Sequence, residues 1–217
     1  MSTATPHIFL LPGVNATCPV YSRLLPLIEN ASIVDFIDPQ PRESLTSYAK
    51  RMSARFDADA YIGRVSFGGI LALEISRIIR PKGCILISSI RGPDQLPPKT
   101  QRWRSIGGRN CARAQRLLSR FATFVPRFMR SSETFRLARL AGPNGSWHRW
   151  ATAAVLDWES LPFPDSVPTL HIHGDADTTF PIEFVTPDIV VPRGRHALSI
   201  SHPEEVAWAI CRLRQDA

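Results

Sequence analysis

The sequence contains no long apolar run, no cysteine pairing pattern and, over one stretch, almost no acid. None of its apolar segments approaches the ~18 residues that a membrane span needs. Its start, "MSTATPHIFLLPGVN", has no basic leader, and its apolar run is too short for the core of a secretion signal, so no export is expected. The four cysteines, Cys18, Cys84, Cys111 and Cys211, are scattered, without a CxxC or a metal-ligand spacing. They fit a reducing cytosol, and Cys84 reads as a core residue. No internal repeat or low-complexity tract occurs.

What the sequence has in excess is base, and the excess is local. The 217 residues carry a net charge of +7. Residues 99–149 hold 12 Lys or Arg and one acid, Glu133, a balance of +11; the remainder sums to −4. One segment therefore needs its own explanation. The hydrophobic share of 44% and charged share of 21% are ordinary, and the length suits one domain with a sizeable core.

Apolar runs alternate with helical patterns. Strands are expected at His7–Leu11, Ser32–Asp38, Ala60–Ser66, Cys84–Ile90, Thr169–Gly174 and Asp188–Val191. Between them lie helical patterns at Val20–Glu29, at Ser44–Phe56 with Ser44 as a cap, and at Phe67–Ile79; a last helix runs from Pro203 to about Arg214. Strands separated by helices imply an α/β fold, a mostly parallel, doubly wound sheet with right-handed crossovers. Residues 1–93 and 165–217 form its core, and 94–164 read as an Arg-rich helical insertion within the same domain.

The stretch "YIGRVSFGG" puts Ser66 between a strand and a helix. A serine needs a base to become a nucleophile and donors for the oxyanion that forms on attack. A sharp strand-to-helix turn lifts the hydroxyl out of the sheet and leaves the next N–H, that of Phe67, free at a helix start. Gly68 and Gly69 suit such a turn. Arg64, two residues before the serine, does not. Either its side chain points outward, or a bulge puts Gly63 in its place. The bland alternative is a helix cap.

The required partners follow in order. Asp177 lies three residues past the fifth strand in "HIHGDADTTFP", and His196 lies past the sixth in "VVPRGRHALSISHPEEV". All three side chains sit just beyond parallel strands, at the sheet edge where ligands bind. Asp175 and Asp94 are rival acids, and Asp175 and Asp177 could be turn formers. His171 and His173 are read as facing opposite sides of their strand, with His148 and His202 peripheral. "HIHGDAD" also has the His-x-His-x-Asp spacing of a metallo-hydrolase loop, although the doubly wound pattern argues against zinc.

Taken together these segments resemble the α/β-hydrolase fold, over nearly all of the chain outside the insertion. "RVSFGG" resembles its nucleophile elbow, "HGDADTTFP" its acid loop and "GRHALSISHPEEV" its histidine loop. "LLPGVNAT" resembles the loop that holds its second oxyanion donor, which implies the Val14 N–H, with Asn15 beside it at the substrate. By this resemblance the chain lacks the family's first two strands. The resemblance implies a Ser66–His196–Asp177 triad that cleaves a carboxylic ester or thioester, an oxyanion hole from Val14 and Phe67, and no metal or cofactor.

The insertion lies where that fold carries a lid. Arg109, Arg113, Arg116, Arg120 and Arg127 form a stripe beside an apolar face. The stripe could be a solvated lid surface, attract an anionic acyl substrate, or rest on an anionic membrane as a peripheral contact. Nucleic acid is not expected, since no recognition module accompanies the charge. Trp147, Trp150 and Trp158 close the insertion as core or as walls of an acyl pocket, with Trp147 taken as substrate-binding. Two other functions remain open: a binding protein made inert by Arg64, and an acyltransferase using the same three residues. Oligomeric state is not legible.

Overall fold

The computed structural model describes residues 5–12, 18–105, 107 and 145–215. Six strands form one parallel sheet: β1 (Ile8–Leu11), β2 (Ala31–Ile33), β3 (Tyr61–Val65), β4 (Gly83–Ile87), β5 (Thr169–Gly174) and β6 (Ile189–Val191). Their order is β2-β1-β3-β4-β5-β6. The chain moves outward from β1 to β2, then returns past β1 to β3. The strand order reverses there, and such a switch point opens a crevice at the carboxyl ends of the strands.

The five longer helices described are α1 (Leu45–Ser53), α2 (Phe67–Ile79), α3 (Pro98–Arg104), α4 (Gly145–Leu156) and α5 (Pro203–Gln215). Ser44 caps α1, its hydroxyl accepting the Ser47 N–H at 3.1 Å. Leu45, Tyr48, Ala49 and Met52 then fall on one buried face at helical spacing. Helix α2 is buried from Phe67 to Ser76 and ends as Arg80 turns left-handed before Pro81.

Alternation along the strands divides the core in two. Leu11, Ile62, Cys84 and Leu86 join the layer with α1, α2 and α4. Ile8, Leu10, Tyr61, Val65, Ile85 and Ile87 meet α5 on the other face. The sheet is therefore doubly wound, as the pattern implies. Among the described residues no helix is long and apolar enough to cross a membrane.

Several boundaries differ from expectation. Val20–Glu29 is two short 3-10 turns, Cys18–Tyr21 and Leu25–Leu27, because Pro26 lacks the N–H that an α-helix would use there. Strand β2 stops at Ile33, since its one neighbour β1 ends at Leu11 before Pro12. Strand β4 stops at Ile87 because Ser88 takes a positive φ of 47° and turns the chain. Asp188 stays outside β6, and its carboxylate accepts the His171 N–H at 2.6 Å.

Candidate active site

Ser66 follows β3 directly and opens α2. Its N–H still bonds the Ile87 carbonyl of β4 at 3.0 Å, while its own φ of 58° and ψ of −130° turn the chain sharply. That conformation is costly for a residue with a Cβ and persists only when the surroundings enforce it. Gly69 N–H and the Ser89 hydroxyl both donate to the Ser66 carbonyl, at 2.8 and 2.7 Å. Two glycines allow the close packing. A Cβ on Gly69 would lie 2.2 Å from Ser89 Oγ, and one on Gly68 would lie 2.9 Å from the Pro12 carbonyl.

Arg64 does not point outward, and no bulge relieves it. Strand β3 pairs residue for residue with β1 from Tyr61 to Arg64 and with β4 from Tyr61 to Val65, so Gly63 keeps its place in the ladder. The Arg64 side chain lies in the α1–α2 layer with no exposure at all. Its Nη1 donates to the Gly68 carbonyl at 2.9 Å, and its guanidinium sits 4.9 Å from the Phe36 ring centre. A central strand covered on both faces leaves such a side chain no route to solvent. Desolvation pulls its pKa well below the usual arginine value.

The structure brings Ser66, His196 and Asp177 together. Ser66 Oγ is 2.8 Å from His196 Nε2, and His196 Nδ1 is 2.8 Å from Asp177 Oδ2. A carboxylate only accepts, so His196 Nδ1 carries the proton and Nε2 is left to accept from the serine hydroxyl. The Thr179 and Phe180 N–H groups donate to Asp177 Oδ1 at 2.7 and 3.0 Å. Asp177 and His196 are both buried, whereas Asp175 is exposed. The carboxylate bonded to His196 is thus neither Asp175 nor Asp94. Gly174 and Gly194 let the two loops cross, since a Cβ on Gly174 would lie 2.1 Å from the Gly194 carbonyl oxygen.

His171 and His173 do not face opposite sides. Residues two apart on a strand share a face, and these rings meet, with His171 Nε2 3.2 Å from His173 Nδ1. His173 Nε2 donates to the Phe180 carbonyl at 2.8 Å and lies 3.4 Å from Asp177 Oδ2. His173 therefore backs the acid loop, a role the strand's period of two could have indicated. Burial lowers the pKa of both, that of His171 to about 4, with the neighbouring His173 as the second cause there. Among the described residues no group of three or more His, Cys, Asp or Glu side chains is arranged to hold a metal ion.

Phe67 supplies the first N–H of α2, one of those a helix leaves without an intrahelical acceptor. Its buried ring meets Trp147, Trp150 and Phe36 edge-on, at 5.7, 6.1 and 6.3 Å between centres. Trp147 and Trp150 are half-buried and pack on Phe67, the residue after Ser66. Trp158 is core, donating to the buried Glu74 carboxylate at 2.9 Å. Cys84 is also core, its thiol pKa pushed up to about 12 by burial. The His202 ring bonds the hydroxyl of its neighbour Ser201 at 2.8 Å. A cleft of about 440 Å³ lies on the acid loop, lined by Asp175, Asp177, Glu183 and Arg195, among others, and not by Ser66. Val14, Asn15 and the arginine stripe from Arg109 to Arg127 lie outside the described residues.

The comparisons agree with this fold. A model described as the alpha/beta hydrolase family matches residues 35–209. No curated protein matches the chain in sequence. Among solved structures, the chain is similar to BorB, a type II thioesterase from the borrelidin biosynthetic cluster. That match has 17% identity and a TM-score of 0.62, covering 97% of this chain and 93% of the other. A thermophilic esterase from Thermogutta terrifontis matches at 16% identity and TM-score 0.62, covering 97% and 90%. The enol-lactonase of Burkholderia xenovorans LB400 matches at 14% and 0.62, covering 98% and 92%. At these identities the likeness concerns the fold.

Proposed function

The chain belongs to the alpha/beta hydrolase family, and from that premise we propose that it is a serine hydrolase cleaving a carboxylic ester or thioester. The observation that carries this reading is the unbroken chain from Ser66 Oγ through His196 to Asp177, with 2.8 Å at each link. The similar structures include a thioesterase, an esterase and a lactonase, and all three names describe the opening of a carbonyl–heteroatom bond.

In this mechanism Ser66 Oγ attacks the acyl carbon while its proton passes to His196 Nε2. Asp177 holds the imidazole in the required tautomer and stabilises its charge. The carbonyl oxygen becomes an oxyanion, accepted by the Phe67 N–H and, by sequence position, the Val14 N–H. Losing one such donor typically costs ~10²–10³ in rate. Collapse expels the alcohol or thiol, which takes the proton from His196. Water then attacks the acyl-serine, His196 accepts its proton, and the acid and free serine are released.

The rival reading, a protein made inert by Arg64, requires the arginine to spoil the turn. Against it, Arg64 lies beneath the turn with the Ser66–His196 bond intact. A fluorophosphonate probe with short and medium acyl esters tests the reading. The wild type should label and turn over, and Ser66→Ala should lose both while melting at a similar temperature. An alanine variant that still hydrolyses esters would overturn the mechanism. Added alcohol or amine acceptors, followed by product analysis, separate hydrolysis from acyl transfer.

A further inference from the structure

Arg64 is the largest fully buried side chain described, and most of its hydrogen-bonding capacity is idle. Nη1 is used on the Gly68 carbonyl, but Nε and Nη2 have no acceptor among the described residues. No described carboxylate pairs with it either. The idle groups form one edge of the guanidinium. There Nε–H and one Nη2–H run parallel, at the spacing of the two oxygens of a carboxylate. Leaving such groups buried and unmet is costly, and an uncompensated buried charge more so.

A third donor lies nearby. Trp147 Nε1 is buried and completes no hydrogen bond of full geometry among the described residues, with the Tyr48 oxygen beside it. Its ring is 4.5 Å from Phe36, the ring that Arg64 faces, and 5.7 Å from Phe67, the residue after Ser66. Tyr48, which packs on Trp150, already spends its hydroxyl proton on the Ile37 carbonyl at 2.7 Å. The region is thus rich in donors, without a described carboxylate, lined by aromatic rings and adjacent to the residue after the serine. Phe36 and Trp147 are half-buried while the guanidinium is not exposed, so an entering chain would run along those rings before meeting the charge.

We propose that Arg64 and Trp147 form an anion subsite of the acyl pocket, so that the preferred acyl group ends in a carboxylate, as in a half-ester or half-thioester of a dicarboxylic acid. The proposal rests on the hydrolase reading for the identity of the substrate, but not for the binding of the anion. A carboxylate accepts only, and its two oxygens match the idle edge. Its methylenes would lie against Phe36, Phe67 and Trp147.

The test compares mono-4-nitrophenyl glutarate, corrected for spontaneous hydrolysis, with the neutral 4-nitrophenyl pentanoate. Succinyl and adipyl esters set the length. The wild type should favour the best anionic ester by roughly 10–100-fold in kcat/KM, the range expected of a charged hydrogen-bonded contact. Arg64→Met should abolish that preference, and Trp147→Phe should weaken it. A preference that survives in folded Arg64→Met overturns the assignment, as does a wild type that favours the neutral ester. Calorimetry with glutarate and with its dimethyl ester, on Ser66→Ala, reads the subsite without catalysis. Glutarate alone should bind, and Arg64→Met in that background should remove the heat. Should Arg64→Met fail to fold, the contrast between glutarate and its diester in Ser66→Ala decides. Equal responses, or tighter competition by inorganic phosphate than by glutarate, overturn a carboxylate site. Cleavage of neutral esters without glutaryl preference leaves the hydrolase reading and removes the subsite. Arg64-dependent glutarate binding without any ester cleavage does the reverse.

Discussion

Asp177 and Arg64 flank the same serine and are both buried, yet the acid loop is complete and the elbow is not. Asp177 receives two backbone N–H groups and His196, with His173 at 3.4 Å behind it. Arg64 has one carbonyl and one ring face, and two of its nitrogens have no acceptor among the described residues. The crossing loops at Gly174 and Gly194 hold the acid wherever substrate is. The elbow holds a charge with no carboxylate partner among the described residues. A low-dielectric interior magnifies both situations, strengthening the satisfied group and penalising the unsatisfied one.

The largest expected effect comes from breaking the complete side. Asp177→Asn keeps the shape but replaces an acceptor-only carboxylate with an amide, which can hold His196 in the wrong tautomer. Hydrolysis of the best ester should fall by roughly 10³–10⁴ in kcat, with the backbone bonds to Thr179 and Phe180 largely retained. Steady-state kinetics beside a melting curve checks this. A loss below tenfold would mean that Asp177 does not orient the base.

How much of this was legible in the sequence depends on whether the signal was local. Ser66, Asp177 and His196 each follow a strand by a fixed few residues, so periodicity and turn chemistry placed them at one sheet edge. The short connections around α2 were equally readable, because Pro81 and the Gly68–Gly69 pair punctuate the chain. The fate of Arg64 was not, since a residue before a turn shows no sign in sequence of which helices cover it. The Gly174–Gly194 crossing depends on two loops meeting across 20 residues, and no local pattern reports it. The histidine pair is different. Its shared face follows from the pleat alone, and the expectation of opposite faces was an error of period. For Val14 and Asn15 the sequence remains the source, as they lie outside the described residues.

The second effect is a pH dependence confined to the acid side. His171 is buried and neutral, with its pKa lowered from 6.5 to about 4 by burial first and His173 second. The groups facing it are His173, the Asp188 carboxylate bound to its own N–H, and Arg91 paired to Asp188. Below pH 6.5 the unfolded chain takes up a proton that the folded chain refuses. Stability is therefore full above 6.5 and declines as the pH falls from 6.5 to 4, by roughly 3 kcal/mol at most from this residue. Urea titrations at pH 7.5 and pH 4.5 should show the decline, and His171→Gln should shrink it. An unchanged slope in that variant would assign the acid lability to other groups.

The smallest effect has the opposite sign and tests the incomplete side. Arg64→Met keeps most of the side-chain volume, removes the buried charge and deletes two unmet donors. It also gives up the bond to Gly68 and the contact with Phe36, each of order 1 kcal/mol. Replacing buried charged groups by apolar ones of similar size is often neutral or stabilising by about 1–4 kcal/mol. Without ligand, Arg64→Met should be more stable by about 1–2 kcal/mol, a rise of roughly 2–8 °C at this chain length. Asp177→Ala, which strands two N–H groups and His196, should be less stable. Glutarate should narrow the gap by raising the melting temperature of the wild type alone. If Arg64→Met melts lower than the wild type, the arginine is held for the packing of the turn, and the contrast between the two buried charges does not stand.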